Sequence, residues 1–78
     1  MPFITIRGFR FGVFTHEPEY EPMHVHVKGK GAKAKFWLRP VRLKGSTYNR
    51  SVAREIERIV RRHETTFVRM WERIHGDD

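Results

Sequence analysis

The sequence predicts a small α+β domain: an antiparallel sheet of four to five strands with one long C-terminal helix packed on one face. Short β-rich runs separated by Gly and Pro occupy the first 44 positions. Apolar residues spaced three and four apart occupy the stretch from about 49 to 75. At 78 residues, the chain has room for a single domain with a small core, since a chain this short buries only about 60% of its unfolded surface.

Phe3 to Arg7 alternates, with Ile4 and Ile6 on one face. A tight turn is expected around Gly8-Phe9. Arg10 to His16 is a second strand, with Phe11 and Val13 on one face and Arg10, Phe14 and His16 on the other. The loop to Pro22 carries Glu17, Glu19 and Glu21 between prolines. Met23 to Lys28 is the third strand, and Gly29-Lys30-Gly31 supplies a hairpin turn. Lys33 to Arg39 is the fourth strand, ended by Pro40, and Val41 to Lys44 fits a short edge strand.

The remainder is one helix. Asn49 or Ser51 caps it and Gly76 stops it. Val52, Ile56, Ile59, Val60, Phe67, Met70, Trp71 and Ile74 form its apolar stripe. Unbroken, it has about 26 residues and a length of about 39 Å, against about 17–20 Å for the strands. It must therefore overhang the sheet or break, and Glu64-Thr65-Thr66 is its weakest stretch. An overhang would expose Phe67, Met70, Trp71 and Ile74, a patch suited to a homodimer.

Strand parity sorts the sheet into two faces. Ile4, Ile6, Phe11, Val13, Val25, Val27, Ala34, Phe36 and Leu38 fall on the side that the helix covers. Thr5, Arg7, Arg10, Phe14, His16, His24, His26, Lys28, Lys33, Lys35, Trp37 and Arg39 fall on the other. One helix covers one face, so this cationic second face must meet water, a partner or a ligand.

Sixteen Lys and Arg oppose nine Asp and Glu. From Lys28 to Arg62 there are twelve basic residues and only Glu55 and Glu57 as acids. Such a field attracts polyanions, of which nucleic acid is the commonest, and an acidic protein partner fits it too. Arg50, Arg54, Arg58 and Arg61 or Arg62 add a basic line along the helix. There is no cysteine, which excludes disulfides and thiolate metal sites. No apolar run reaches the ~20 residues of a membrane span, and the N-terminus lacks the pattern of a signal peptide. A complete, soluble, cytoplasmic protein is the expectation.

The segment Pro22-Met23-His24-Val25-His26-Val27-Lys28 carries the best hint of chemistry. Its parity sets two imidazoles side by side on the cationic face, and imidazoles titrate near neutral pH, bind metals and move protons. Three chemistries stay open. His16, His24 and His26 could bind a divalent metal such as zinc, with Glu17, Glu19 or Glu21 completing the set. His24 and His26 could act as general acid and base on a phosphodiester without any cofactor, with Lys28 or Arg39 offsetting the added charge. Or the rings could hold the proline-rich loop against the sheet. His63 lies on the helical stripe as a boundary residue, and His75 is expected in solvent.

The run Glu21-Pro22-Met23-His24-Val25-His26-Val27 resembles the Pro-Pro-His-Phe-His-Val box of a small bacterial family, domain of unknown function 4160. His63 and Trp71 match that family's helical histidine and the tryptophan eight residues later, and the resemblance runs from about Phe3 to Ile74. Glu21, Val25 and Ile59 depart from the pattern. The resemblance implies an α+β fold and a toxin component of a toxin–antitoxin module, but no catalytic residues.

The functional expectation is an RNA-directed toxin, an endoribonuclease with His24 and His26 as the acid–base pair and His16 as auxiliary. Lys28, Lys33, Lys35, Arg39 and Arg10 would contact phosphates, and Phe14 and Trp37 would stack bases. The alternatives are a non-enzymatic basic module for an acidic, antitoxin-like partner or nucleic acid, and a metal-binding protein.

Overall fold

The computed structural model describes residues 3–15 and 21–76. His16, Glu17 and Glu19 lie outside the described residues, and with them the auxiliary and metal-ligating roles assigned to His16.

The chain forms a meander of β1 (Phe3–Ile6), β2 (Phe9–Gly12), β3 (His24–Gly29), β4 (Ala32–Trp37) and β5 (Arg42–Ser46). The strands are hydrogen-bonded in sequence order, every pair antiparallel. This follows from the short connections between consecutive strands, which reach only a neighbour. Arg7-Gly8 and Lys30-Gly31 both turn with positive φ at their two residues, 54° and 85° in the first and 54° and 80° in the second. That is the twist of the primed hairpin turns, which matches the right-handed twist of the flanking strands.

Two helices follow, α1 (Arg50–Arg62) and α2 (Glu64–His75), in place of the one expected. The Asn49 side chain accepts from the Val52 amide at 2.9 Å and caps α1. The chain breaks at His63, one residue before the stretch picked out as weakest, with φ −110° and ψ 22°. A straight helix of about 39 Å would outrun the molecule, whose longest extent is 36 Å. The break lets α2 fold back on the sheet. Phe67 stacks on Phe11 with ring centroids 5.3 Å apart, and the Glu64 carboxylate accepts from the Arg39 amide at 3.1 Å.

The core is the one parity selects, with additions. Phe11, Val13, Val25, Val27, Ala34, Phe36 and Leu38 are buried beneath Ile56, Ile59 and Val60 of α1 and Phe67, Val68 and Met70 of α2. Ile4 and Ile6 are only partly covered. Phe9, expected in a turn, is the first residue of β2 and is buried. The fifth strand does pair, but as Arg42–Ser46, displaced by a bulge opposite Lys35 and Phe36. This leaves Val41 in the core. The patch expected to overhang does not: Phe67 and Met70 are buried and Trp71 and Ile74 are half-buried in a single chain. Among the described residues no helix is long and apolar enough to cross a membrane.

Candidate nucleic-acid interface

Register places the basic residues. Arg10 of β2 pairs with Lys28 of β3, and Lys28 pairs with Lys33 of β4. Paired residues in an antiparallel ladder project from the same face, so these cations stand in one row across three adjacent strands. Like charges directly opposite destabilise a sheet. Among the described residues none of the three has an acidic partner. Lys35, one step along β4 from this row and facing His26, is neutralised by Glu21 at 2.6 Å.

Aromatic rings stand among the cations. The Phe14 and His26 rings are stacked, 3.9 Å between centroids and 5° from parallel. The Lys28 ammonium is 5.7 Å from the Phe14 centroid, the Arg10 guanidinium 5.9 Å from that of Phe3, and the Lys35 ammonium 5.2 Å from that of Trp37. Phe3, Arg10, Gly12, Phe14, His26 and Lys28 enclose a cleft of about 160 Å³. Phe3 is 54% exposed. Its parity with Thr5 already places it on this face, a signal the sequence reading passed over. A shallow groove holding Lys30, Lys33 and Thr47 continues from the cleft across Arg10 and Lys28.

The two imidazoles part company here. His24 and His26 share a face, as parity requires, with ring centroids 5.0 Å apart. The expectation that both are uncovered holds only for His26, which is half-buried and lines the cleft. His24 has no exposed surface. Trp71 of α2 covers it at 4.9 Å and Trp37 of β4 flanks it at 5.7 Å. Its Nδ1–H donates to the Pro22 carbonyl at 2.9 Å, and Glu21 Oε1 lies 3.8 Å from the same nitrogen. The end of α2 thus reaches round to the face that one straight helix would have left open.

His75 is likewise not in solvent. Its ring lies 4.1 Å from that of Trp71, and its Nε2–H donates to the Phe14 carbonyl at 2.8 Å. This bond ties the last turn of α2 to the backbone behind the Phe14–His26 stack. Neither His75 nor Trp71 is marked by periodicity as part of this face, because both reach it only once the helix has broken. His63 sits where expected, at the boundary of the core, 6.3 Å from the Phe67 ring.

Arg39 does not join the row. It lies in the turn beyond β4, before a cis peptide bond to Pro40, and its amide is held by α2. For the zinc alternative, no group of three His, Cys, Asp or Glu side chains that could hold a metal occurs among the described residues; the third histidine of that set is His16.

The family model described as Domain of unknown function (DUF4160) matches residues 8–72, and the chain belongs to that family. No curated protein and no solved structure matches it.

Proposed function

We propose that this member of the family binds single-stranded RNA across the open face of its sheet and acts on it in the cytoplasm, as the RNA-directed component of a toxin–antitoxin pair. The observation that carries the reading is the row Arg10, Lys28 and Lys33, set in register beside the Phe14–His26 stack and without acidic partners among the described residues. Cations spaced along a strip neutralise successive phosphates, and exposed rings among them accept unstacked bases. A duplex buries its base faces, so the aromatic cleft favours a single strand.

The same face supports an endoribonuclease step in which His26 is the catalytic residue. His26 takes the 2′-hydroxyl proton, the 2′-oxygen attacks phosphorus to give the 2′,3′-cyclic phosphate, and the bond to the 5′-oxygen breaks as that oxygen takes a proton from water. Lys28 offsets the charge on the phosphoryl oxygens. His24, closed in by Trp71 and Trp37, orders the strand and does not touch RNA.

A labelled single-stranded RNA tests both parts. At low salt the wild-type protein binds and cleaves it, the Arg10→Ala/Lys28→Ala variant loses binding, and His26→Ala binds without cleaving. Failure of the wild-type protein to bind at low salt overturns the reading. Binding without cleavage at any pH removes the step assigned to His26 and leaves the binding face standing.

A further inference from the structure

A second cationic surface, unused by the RNA reading, borders one edge of the sheet. β1 is an edge strand, paired with β2 alone among the described residues. Its residues Phe3-Ile4-Thr5-Ile6 include no charge and no proline. The other edge is defended. Arg42 and Lys44 stand on β5, and a bulge disturbs its pairing. Charges and bulges keep sheet edges from joining other chains, and β1 has neither. Ile4 and Ile6 pack against the core but are only partly covered by it, so a strand laid alongside would bury more of both.

Just past β1, the Arg7 guanidinium is 3.6 Å from Glu55 of α1. Arg7, Arg58 and Arg62, with Ile59 between them, line an open groove of about 470 Å³. Glu57 engages Arg61 through two hydrogen bonds, at 3.1 and 2.8 Å. Arg58 and Arg62, one helical turn apart, form no ion pair among the described residues.

We propose that this edge and groove dock an extended acidic peptide of a partner protein. The peptide adds a strand to β1, lays apolar side chains over Ile4 and Ile6, and sets carboxylates against Arg58 and Arg62. The open main-chain groups of a strand edge recognise another polypeptide main chain, with side-chain pockets supplying specificity. The groove demands that the partner be acidic. A nucleic acid fits less well, because among the described residues no aromatic ring lines the groove and Glu55 interrupts its cations. A second copy fits less well too, since a chain of net charge +7 would bring like charges together.

The test is fluorescence anisotropy with a labelled peptide in which valine alternates with threonine along β1 and a run of glutamates follows to reach the groove. Its control replaces valines by proline, which keeps the charge but cannot extend a sheet. The alternating peptide should bind and the proline peptide should not. The variant Arg58→Glu/Arg62→Glu, altered only at exposed positions, should weaken binding by about tenfold. Arg10→Ala/Lys28→Ala should bind the peptide as the wild-type protein does, whether or not the sheet face binds RNA. Equal binding of the two peptides, or binding undiminished in the charge-reversed variant, overturns the proposal. If that variant loses RNA binding and keeps the peptide, the groove belongs to nucleic acid and the proposal falls.

Discussion

Lys28→Ala should separate a binding role from a structural one, because the two predict effects of opposite sense. Lys28 stands in the middle of the cationic row, with Arg10 opposite on one side and Lys33 on the other. Each like-charge pair costs roughly 0.2–1 kcal/mol, and the substitution relieves both. It also removes the ammonium lying 5.7 Å from the Phe14 ring, a contact contributing about 0.5–1 kcal/mol at an exposed site. These terms oppose, so the stability change should lie between a loss of about 0.6 kcal/mol and a gain of about 1.5 kcal/mol, stabilising where repulsion dominates. RNA affinity should fall. Each phosphate neutralised on a single strand contributes about −0.7 to the slope of log K against log salt, so the row of three cations gives a slope of about −2.1 and the variant about −1.4. Over a roughly fourfold rise in salt, affinity then drops about 18-fold for the wild-type protein and about 7-fold for the variant. Anisotropy titrations at several salt concentrations measure the slopes, and urea melts measure the stability. An unchanged slope, or a stability loss above about 2 kcal/mol, would refute the reasoning.

Phe67→Ala should cost about 3–5 kcal/mol in urea unfolding, since its ring is buried against Phe11, whereas Phe3→Ala at the exposed edge should change stability by less than about 0.5 kcal/mol. Similar losses for the two would mean that α2 does not pack as described. His24→Ala should destabilise by about 2 kcal/mol or more and His26→Ala by less than about 1 kcal/mol, because only His24 is enclosed and bonded to Pro22; thermal melts of the pair decide it. The Tyr48 hydroxyl is shared between the Gly29 and Ala32 carbonyls at 2.8 and 2.9 Å, so Tyr48→Phe should cost about 1 kcal/mol. Burial raises the Tyr48 phenol above its ordinary 10.0. The folded state therefore holds the proton more tightly than the unfolded one, and this share of stability is present below pH 10.0 and lost as pH climbs through the raised value. Melts across alkaline pH should show that loss in the wild-type protein and not in Tyr48→Phe.

Much of the candidate interface is legible by parity alone. Arg10, Lys28, Lys33, Lys35, His26 and Trp37 land on one face because a strand offers only two. Their order into a row is not legible, because register depends on where each turn closes. The first hairpin closes at Arg7-Gly8, one residue before the expected Gly8-Phe9, while the second closes at Lys30-Gly31, within the expected Gly29-Lys30-Gly31; together they set Arg10 opposite Lys28 and Lys28 opposite Lys33. Arg39 leaves the face for a related reason: alternation still buries Leu38 beyond β4, but Arg39 takes a positive φ in the turn, where the extended backbone has ended.

Local rules, taken residue by residue, were enough for the α+β class, the capping of α1 by Asn49, the apolar layer and the weakness of the helix near Glu64. Each depends on neighbours within a few positions, where propensity and periodicity act. The fate of His24 depends on contacts between distant segments. Its side is set by β3, but its burial is set by Trp71, 47 positions later in the chain. That contact exists because a helix longer than the sheet gains more by breaking at His63 and burying Phe67 than by running on into water. Periodicity records which side of a helix is apolar; the site of the break, and hence which imidazole stays at the surface, follows from packing against a sheet far away in sequence.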